Sequence, residues 1–372
     1  MKRLTTLVIL GLALILATSM VGTAAAPYKV GCIVPLTGGA AANGILVKRG
    51  AEIAVAEINA KGGVAGRPVE LIMADDAGIP AQSVSAMNKL IFQDNVDFLI
   101  GGNLSSTVLA HMLVSEKEGI PYIVTCASNP QITTKSNKWT VRLHQNDDIM
   151  AVQLADFTID VLKKSKIAIM YDTGDFGTGN KNAFTATLNK RGVKPIITVG
   201  FNTGDKDFMS QVIQVKGKNP DVIMIFSVQA EAAIVTNQLR QMGVNVTIAG
   251  TGGFIVPKYI ELAPGTSEGA IGMTTYSPYD DTPEIKHFTD AFIKAYNEQP
   301  THHAWNTYEA FVYLMKPIVD KVGTDKVKVM SVLKDYKWSV GGVSKYFDET
   351  GQVVMPSVFI SVQDGIWKPY KK

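Results

Sequence analysis

The sequence is poor in cysteine: Cys32 and Cys126 are the two present in 372 residues. An even number of cysteines in a secreted chain invites a disulfide. Both lie, however, in apolar, strand-like runs that are not neighbours in the sheet predicted below, so their Cα atoms would be too far apart to bridge. The sequence predicts two free, mostly buried thiols and excludes a fold that depends on disulfides.

A strong net charge is also absent. The chain has 36 Lys and Arg against 33 Asp and Glu, and loss of the signal peptide proposed below removes Lys2 and Arg3, which lowers the formal net charge from +3 to +1. This balance excludes the basic or acidic character that would point to a nucleic acid or an anionic membrane surface as partner.

Long apolar runs are missing except at residues 7–21. Lys2 and Arg3 precede that run and small residues follow it, which is the layout of a secretory signal peptide. The run is short for a membrane span, so we expect cleavage near Ala25 rather than an uncleaved anchor. The mature chain is expected to be soluble, and its length leaves room for two domains of about 150 residues each.

Familiar catalytic and cofactor motifs are lacking, so we expect neither an enzyme nor a cofactor. The chain contains no G-x-S-x-G, P-loop, H-E-x-x-H or C-x-x-C pattern, and no motif places a base beside Cys126. Residues 174–179 read G-x-x-G-x-G rather than G-x-G-x-x-G, which disfavours a dinucleotide. Adjacent His302 and His303 diverge on a helix, so we expect no metal site.

The chain has two successive sets of alternating strands and helices. Nearly continuous apolar strands occupy residues 28–36, 68–75, 96–102 and 121–128, and then residues 165–172, 193–201, 220–227 and 246–253. Amphipathic helical stripes fill the gaps. This alternation predicts right-handed βαβ crossovers and open parallel sheets in two similar lobes. Helices at 284–297 and 304–321, a further helical stretch at 327–335 and a late strand pair near Tyr346 and 358–362 follow.

The particular residues of several segments are more informative about the family than this alternation of strands and helices. Residues 58–66 read INAKGGVAG, where Gly62 and Gly63 supply the positive φ that ends a helix. Asp75 and Asp76, residues 171–179 and residues 220–223 follow in a matching order. Together they resemble the type I periplasmic solute-binding proteins of the leucine/isoleucine/valine branch, which deliver small molecules to ABC importers. The resemblance covers essentially the whole mature chain.

The resemblance implies an α/β fold of two doubly wound parallel-sheet lobes joined by a three-crossover hinge, with crossings near residues 144–147, 276–278 and 354–355. The implied division is a signal peptide (1–25), an N-terminal lobe (26–145 plus 278–354) and a C-terminal lobe (146–277 plus 355–372). A ligand is then expected in the cleft, outside the carboxyl ends of the strands.

The first-lobe site is expected where helix amides and hydroxyls meet. Ser105, Ser106 and Thr107 open a helix after a strand, where one of them is expected to cap it and free N–H groups favour an anion. By resemblance, Ser105 binds a ligand carboxylate, with Ser106 nearby. Residues Cys126, Ala127 and Ser128 follow the next strand. By resemblance, Cys126 offers a backbone carbonyl and Ser128 a hydroxyl and an amide, with Ala127 between them.

The second lobe departs from the family pattern. Where amino-acid binders carry an acid for the ligand ammonium, this chain matches Gly252, and three pocket tyrosines are replaced by Asn43, Phe176 and Val228. A buried ammonium without a counter-charge costs several kcal/mol. We therefore expect a carboxylate ligand without an α-amine, an aromatic or aliphatic acid. If the match at 252 slips, one acid among Asp172, Asp175 and Glu231 serves instead.

Partners and localisation follow from the resemblance alone. It implies a periplasmic, monomeric protein that hands a small carboxylate or amino acid to the membrane permease of an ABC importer. A sensory binding protein with the same fold is the alternative, and sequence does not separate the two. His144, Tyr276 and Tyr279 lie at the crossings and are further candidates for contact with the cleft.

Overall fold

The computed structural model describes residues 25–134 and 136–371, so residues 1–24 of the predicted signal peptide lie outside the described part of the chain. The first sheet is built from β1 (Tyr28–Val34), β2 (Val69–Asp75), β3 (Phe98–Gly101), β4 (Tyr122–Val124) and β5 (Thr140–Arg142). All neighbours are parallel, in the order β2-β1-β3-β4-β5. Its crossover helices are α1 (Ala41–Ala60), α2 (Pro80–Phe92) and α3 (Ser105–Glu118).

The second sheet has seven strands. Five are mutually parallel: β6 (Ile167–Asp172), β7 (Ile197–Phe201), β8 (Val222–Phe226), β9 (Thr247–Gly250) and β10 (Ile271–Thr274). Its helices are α4 (Asp147–Asp156), which runs on as a π-helical turn, α5 (Asp175–Lys190), α6 (Met209–Lys216), α7 (Gln229–Gln241) and α8 (Pro257–Leu262). The order of these five strands is β10-β9-β8-β6-β7, and they form the open, doubly wound sheet that the sequence predicts.

The chain after β10 adds helices, a small third sheet and two strands of the seven-stranded sheet. Helices α9 (Pro283–Tyr296), α10 (His302–Glu309), α11 (Lys316–Val322) and α12 (Lys326–Asp335) are followed by a small antiparallel sheet of β11 (Lys337–Val340), β12 (Val343–Phe347) and β13 (Val353–Val354). The hairpin β14 (Val358–Gln363) and β15 (Ile366–Pro369) then joins β10 antiparallel. The two late strands that the sequence predicts near Tyr346 and 358–362 are confirmed as β12 and β14, and they belong to different sheets.

Helices α9 and α10 pack on the five-stranded sheet through an aromatic core. Phe288, Trp305, Tyr308 and Phe311 are buried in one cluster with residues of β1 and α1. We call everything built on the five-stranded sheet the first lobe and everything built on the seven-stranded sheet the second lobe. The helices α9–α12 and the small sheet belong to the first lobe by this packing.

The end of α1 shows why the glycines of residues 58–66 are needed. Gly62 and Gly63 have φ values of +92° and +80°. The Gly63 amide donates to the Ile58 carbonyl over 2.9 Å, which closes the last turn. A Cβ at position 63 would lie 1.9 Å from the Arg67 carbonyl oxygen, so glycine is required there by space as well as by φ.

Three segments carry the chain between the lobes, and two of them are bonded to each other. The first follows β5 and the third follows β13. Gln352 Nε2 donates to the His144 carbonyl over 2.7 Å, and Gln145 Nε2 donates to the Met355 carbonyl. The hinge is thus a paired ribbon rather than a set of independent tethers.

Gly50 permits the close crossing of α1 and α10. A Cβ there would lie 2.1 Å from the Ala304 carbonyl oxygen, which is backbone and cannot rotate away. We expect Gly50→Ala to lower the free energy of unfolding by about 1–3 kcal/mol in denaturant titration. Gly217→Ala is the matched control, because its Cβ meets nothing closer than 3.6 Å. Equal stability of the two variants would contradict this view of the crossing.

Both cysteines are free and buried, as the sequence predicts. They share a small apolar cluster with Val34 and Val47, and burial raises the pKa of Cys126 to about 12. Neither thiol is therefore poised as a thiolate nucleophile. Among residues 25–134 and 136–371, no helix is long and apolar enough to cross a membrane.

Candidate functional site

A small cavity lies between the lobes, at the carboxyl ends of the strands of both sheets. It is lined by Asn43, Asn103, Leu104, Cys126, His144, Met150, Phe176, Val228, Gly252, Gly253, His302 and His303. We call it the central cavity. Its volume of about 20 Å³ holds about one water molecule, so a larger ligand enters only when side chains or lobes move apart.

Five predicted site residues line the central cavity: Asn43, Cys126, Phe176, Val228 and Gly252. They come from both lobes, on α1, after β4, on α5, before α7 and after β9. The second-lobe positions that replace the family's acid and tyrosines therefore do face the cleft between the lobes.

The predicted carboxylate-binding residues lie beside this cavity rather than on its wall. Ser105 is fully buried, and its Oγ accepts a hydrogen bond from the Asn129 amide over 3.2 Å. The Ser128 hydroxyl is buried beside the Asp147 carboxylate, and its hydrogen bond lowers the pKa of that carboxyl against the larger effect of burial. The carbonyl of Ala127 accepts from Arg142, and Ser106 lines a neighbouring cavity.

The predicted capping of α3 by a hydroxyl is wrong. Leu104 occupies the N-cap position, and no side chain caps the helix. Thr107 Oγ1 instead donates back to the Leu104 carbonyl. The first amides of α3 are therefore left without a side-chain cap, which is the condition for an anion site at a helix start.

A buried arginine shapes the loop after β4. Arg142 Nη1 donates to the carbonyl oxygens of Asn129, over 2.6 Å, and Ala127, over 3.3 Å. Its Nε donates to Gln352 Oε1 over 2.7 Å and its Nη2 to Thr133 Oγ1 over 2.9 Å. Burial lowers the pKa of Arg142 to about 10, so it stays charged at neutral pH. The loop that carries Cys126 and Ser128 is thereby fixed in place.

Three histidines on the central cavity include two to which the sequence assigns no role in the site. The His144 and His302 rings are stacked with centroids 5.4 Å apart, and the His302 and His303 centroids are 4.0 Å apart. Asn103 is also on the wall, and a hydrogen bond from its side chain lowers the pKa of the Cys126 thiol against the larger effect of burial. Of the three, His144 is the one that the sequence indicates as a candidate for contact with the cleft, because it lies at a crossing between the lobes.

The three imidazoles are uncharged. Burial lowers the pKa of His302 to about 3, and burial followed by the neighbouring charges lowers those of His144 and His303 well below the ordinary value. Among the described residues, no group of three or more His, Cys, Asp or Glu side chains is arranged to hold a metal ion. The cluster therefore offers hydrogen bonds without charge.

The acids that the sequence names as alternatives lie together in the neighbouring cavity. That cavity of about 360 Å³ is lined by Asp172, Asp175 and Glu231, and it shares Phe176 with the central cavity. Burial raises the pKa of Asp172 to about 7, against the Gly174 amide, which lowers it. We call this the acidic cavity.

Two glycines of residues 174–179 allow the helix α5 to pack closely against Asp172 and Asp147. A Cβ at Gly177 would lie 2.2 Å from the Asp172 carbonyl oxygen, and one at Gly179 would lie 2.4 Å from Asp147 Oδ2. Asp147 Oδ1 accepts from Asn180 Nδ2 over 2.9 Å, and burial raises its pKa to about 7. Close packing thus explains these glycines without a nucleotide.

Hydrogen bonds across the cleft hold the lobes together. Asn43 Nδ2 donates to the Gly253 carbonyl over 3.2 Å, and Gln229 Nε2 donates to the Gly39 carbonyl over 2.9 Å. Each bond joins one lobe to the other, so the conformation described is a closed one.

This geometry can be set beside known proteins. The family model described as "Periplasmic binding protein" matches residues 27–366. The chain belongs to the periplasmic binding protein family. It is 32% identical over 335 residues to the Leu/Ile/Val-binding protein BraC3 of Rhizobium johnstonii, covering 89% of this chain and 90% of that protein.

Solved structures place the chain in the same family fold. The leucine-binding protein LivK of Thermotoga maritima matches with a TM-score of 0.86 and 26% identity, over 92% of this chain and 97% of that one. An ABC-transporter solute-binding protein of R. palustris, solved with benzoate, matches with a TM-score of 0.85 and 19% identity, over 92% and 95% of the two chains. The chain is a solute-binding protein of the branched-chain amino acid type of ABC transporter.

Proposed function

We propose that this periplasmic binding protein captures a small carboxylate without an α-amine in the central cavity and delivers it to an ABC importer. The observation that carries the proposal is the charge of the cavity wall. Within the described residues, its lining contains no Asp, Glu, Lys or Arg side chain. The wall thus has no counter-charge for an ammonium group, and Gly252 stands where an acid would provide one.

The energetics favour an acid over an amino acid at this wall. An ammonium buried without a counter-charge loses several kcal/mol of solvation. A carboxylate, in contrast, can accept hydrogen bonds from the uncapped amides of α3 and from hydroxyl groups, at about 1.5–3 kcal/mol for each charged bond. We assign that role to Ser105 and Ser128, with Ser106, Cys126 and Ala127 nearby.

Capture occurs by hinge closure in this proposal. The ligand first binds the lobe of residues 26–145 and 278–354, and the lobe of residues 146–277 and 355–372 then closes over it. A ligand shifts this equilibrium only through contacts that exist in the closed form. The bonds of Asn43 to Gly253 and of Gln229 to Gly39 are contacts of this kind.

The remaining assignments rest on the family. The relatives are solute-binding proteins, so we propose a binding protein without enzymatic turnover, exported to the periplasm as a monomer. The closed form would dock on the membrane permease of its importer. A sensory role remains the alternative for the same fold, and capture of a permease or of a receptor kinase by the ligand-loaded protein separates them.

Amino-acid binding is the second candidate for the ligand, and the acidic cavity favours it. Asp172 and Glu231 lie there, and Glu231 Oε2 is buried without a partner among the described residues. Known neighbours span both ligand classes, since the R. palustris protein holds benzoate and a Streptococcus pneumoniae LivJ holds isoleucine. The choice between them is open to direct measurement.

Mass spectrometry of small molecules released from the denatured, purified protein tests the proposal, together with thermal unfolding in benzoate, hydroxybenzoates, short fatty acids, leucine and isoleucine. We expect an acid at 100 times its dissociation constant to add about 2.7 kcal/mol of stability, with no gain from leucine. Tighter binding of leucine than of every acid would refute the amine-free ligand and favour the second candidate.

A further inference from the structure

His302 occupies the space that Gly252 leaves empty. His302 is the first residue of α10 in the first lobe, whereas Gly252 follows β9 in the second lobe. A Cβ at position 252 would lie 2.8 Å from His302 Nε2, closer than a real contact. Glycine at 252 is therefore what lets the imidazole reach across the cleft. The position matched to an acid is filled by a histidine of the other lobe.

The surroundings of this imidazole are polar and unsatisfied. His302 Nδ1 is buried without a hydrogen-bond partner among the described residues, as is the Oδ1 of Asn43. A buried polar atom without a partner costs about 1–3 kcal/mol. A ligand that supplies those partners would recover this cost, which makes the wall selective for groups that both donate and accept.

We propose that His302 is a specificity-determining residue that hydrogen-bonds a hydroxyl group of the ligand, so that the ligand is a hydroxylated carboxylic acid. A neutral imidazole has one donor and one acceptor nitrogen, and a hydroxyl group can pair with either of them. An imidazole offers an ammonium no counter-charge in either protonation state, and burial, which lowers the pKa of His302 to about 3, keeps it neutral. The inference rests on the proposed function, since it adds a hydroxyl to the carboxylate ligand proposed there.

The residues that line the central cavity beside His302 are uncharged. His144 stacks on it, His303 tilts against it, and the buried Cys126 thiol lies on the same wall. A hydroxyl can pair with this neutral wall without moving a proton.

His302 also lines a second cavity of about 390 Å³, whose wall includes Glu261 and Glu298. The hydroxyl proposed here is the one that would meet His302 from the central cavity.

Isothermal titration calorimetry of the purified protein tests the proposal with two matched series: benzoate with its three monohydroxy isomers, and butyrate with its three monohydroxy isomers. We expect at least one hydroxy acid to bind about tenfold or more tightly than its parent acid, because a site built for a hydroxyl rejects the analogue without one. In His302→Leu the preference should fall below about threefold, and in His302→Gln, which keeps a donor and an acceptor, part of it should remain.

Two further variants keep the outcome clear. His287→Leu is the matched control, because His287 is exposed and bonds Glu57 on the first-lobe surface, so the preference should be unchanged. Gly252→Ala pushes the imidazole away without removing it and should also lose the preference, so a misfolded His302 variant does not end the test. Melting curves verify folding of each variant.

The outcomes separate the two proposals. If acids bind and hydroxylation changes affinity less than threefold in both series, or if folded His302→Leu and Gly252→Ala keep the preference, the role of His302 is wrong and the proposed function stands. If the unmodified protein binds none of the acids and binds leucine, the proposed function fails and the role of His302 fails with it.

Discussion

Replacement of Arg142 by methionine will lower the free energy of unfolding by about 3–5 kcal/mol, because four charge-assisted hydrogen bonds disappear and their acceptors stay buried. The guanidinium is fully buried, and it donates to the carbonyls of Asn129 and Ala127 and to the side chains of Gln352 and Thr133. Methionine has a similar length but offers none of these oxygens a donor. Chemical denaturation followed by circular dichroism measures the change.

The same variant should weaken ligand binding at least tenfold, since the loop after β4 loses its anchor. Arg191→Met is the matched control: its guanidinium is exposed and pairs with Asp156 and Asp160 on the second-lobe surface, so almost no change is expected. An Arg142→Met protein as stable as this control would show that the buried carbonyls find other donors.

Replacement of Lys345 by methionine is the second large effect, again about 3–5 kcal/mol of unfolding free energy. Lys345 Nζ donates to both carboxylate oxygens of Glu309, over 2.7 and 3.0 Å, and Glu309 is fully buried. Trp338 Nε1 donates to the same carboxylate over 2.8 Å. Removing the lysine leaves a buried negative charge without compensation, and that charge, not the lost contact, supplies most of the cost.

A double variant separates the two causes. Adding Glu309→Gln to Lys345→Met removes the buried charge and keeps an oxygen for Trp338, so most of the lost stability should return. Lys286→Met, which breaks an exposed pair with Asp290, should change almost nothing. If the single and double variants are equally unstable, burial of an unpaired charge is not the cause.

The parallel strands and their helices were predictable because each carries its own pattern. Nearly continuous apolar runs of seven to nine residues between amphipathic stripes mark strands covered on both faces. The sheet partners of the two late strands were not, because β12 and β14 look alike as isolated runs and choose partners by distant packing. Both strands exist where the sequence predicts them, in different sheets and on either side of the predicted crossing at 354–355.

The central cavity was predictable where a match to the family gave positions, as at Phe176, Val228 and Gly252. The roles of the predicted carboxylate residues, above all Ser105 and Ser128, stay predictions. The histidines were missed because a His at a helix start has the same local sequence whether it faces core, solvent or cleft. What distinguishes His302 is the missing Cβ at position 252, fifty residues earlier and in the other lobe.

The paired hinge ribbon has a mechanical consequence. His144 is part of that ribbon, so one wall of the central cavity lies near the axis about which the lobes would turn. For a given rotation of one lobe, atoms near the rotation axis move little. Atoms farther from the axis, such as those of the bond between Gln229 and Gly39 across the cleft, move more. A ligand larger by one or two atoms near the rotation axis is therefore expected to increase the separation of Gly39 and Gln229 by more than its own change in size.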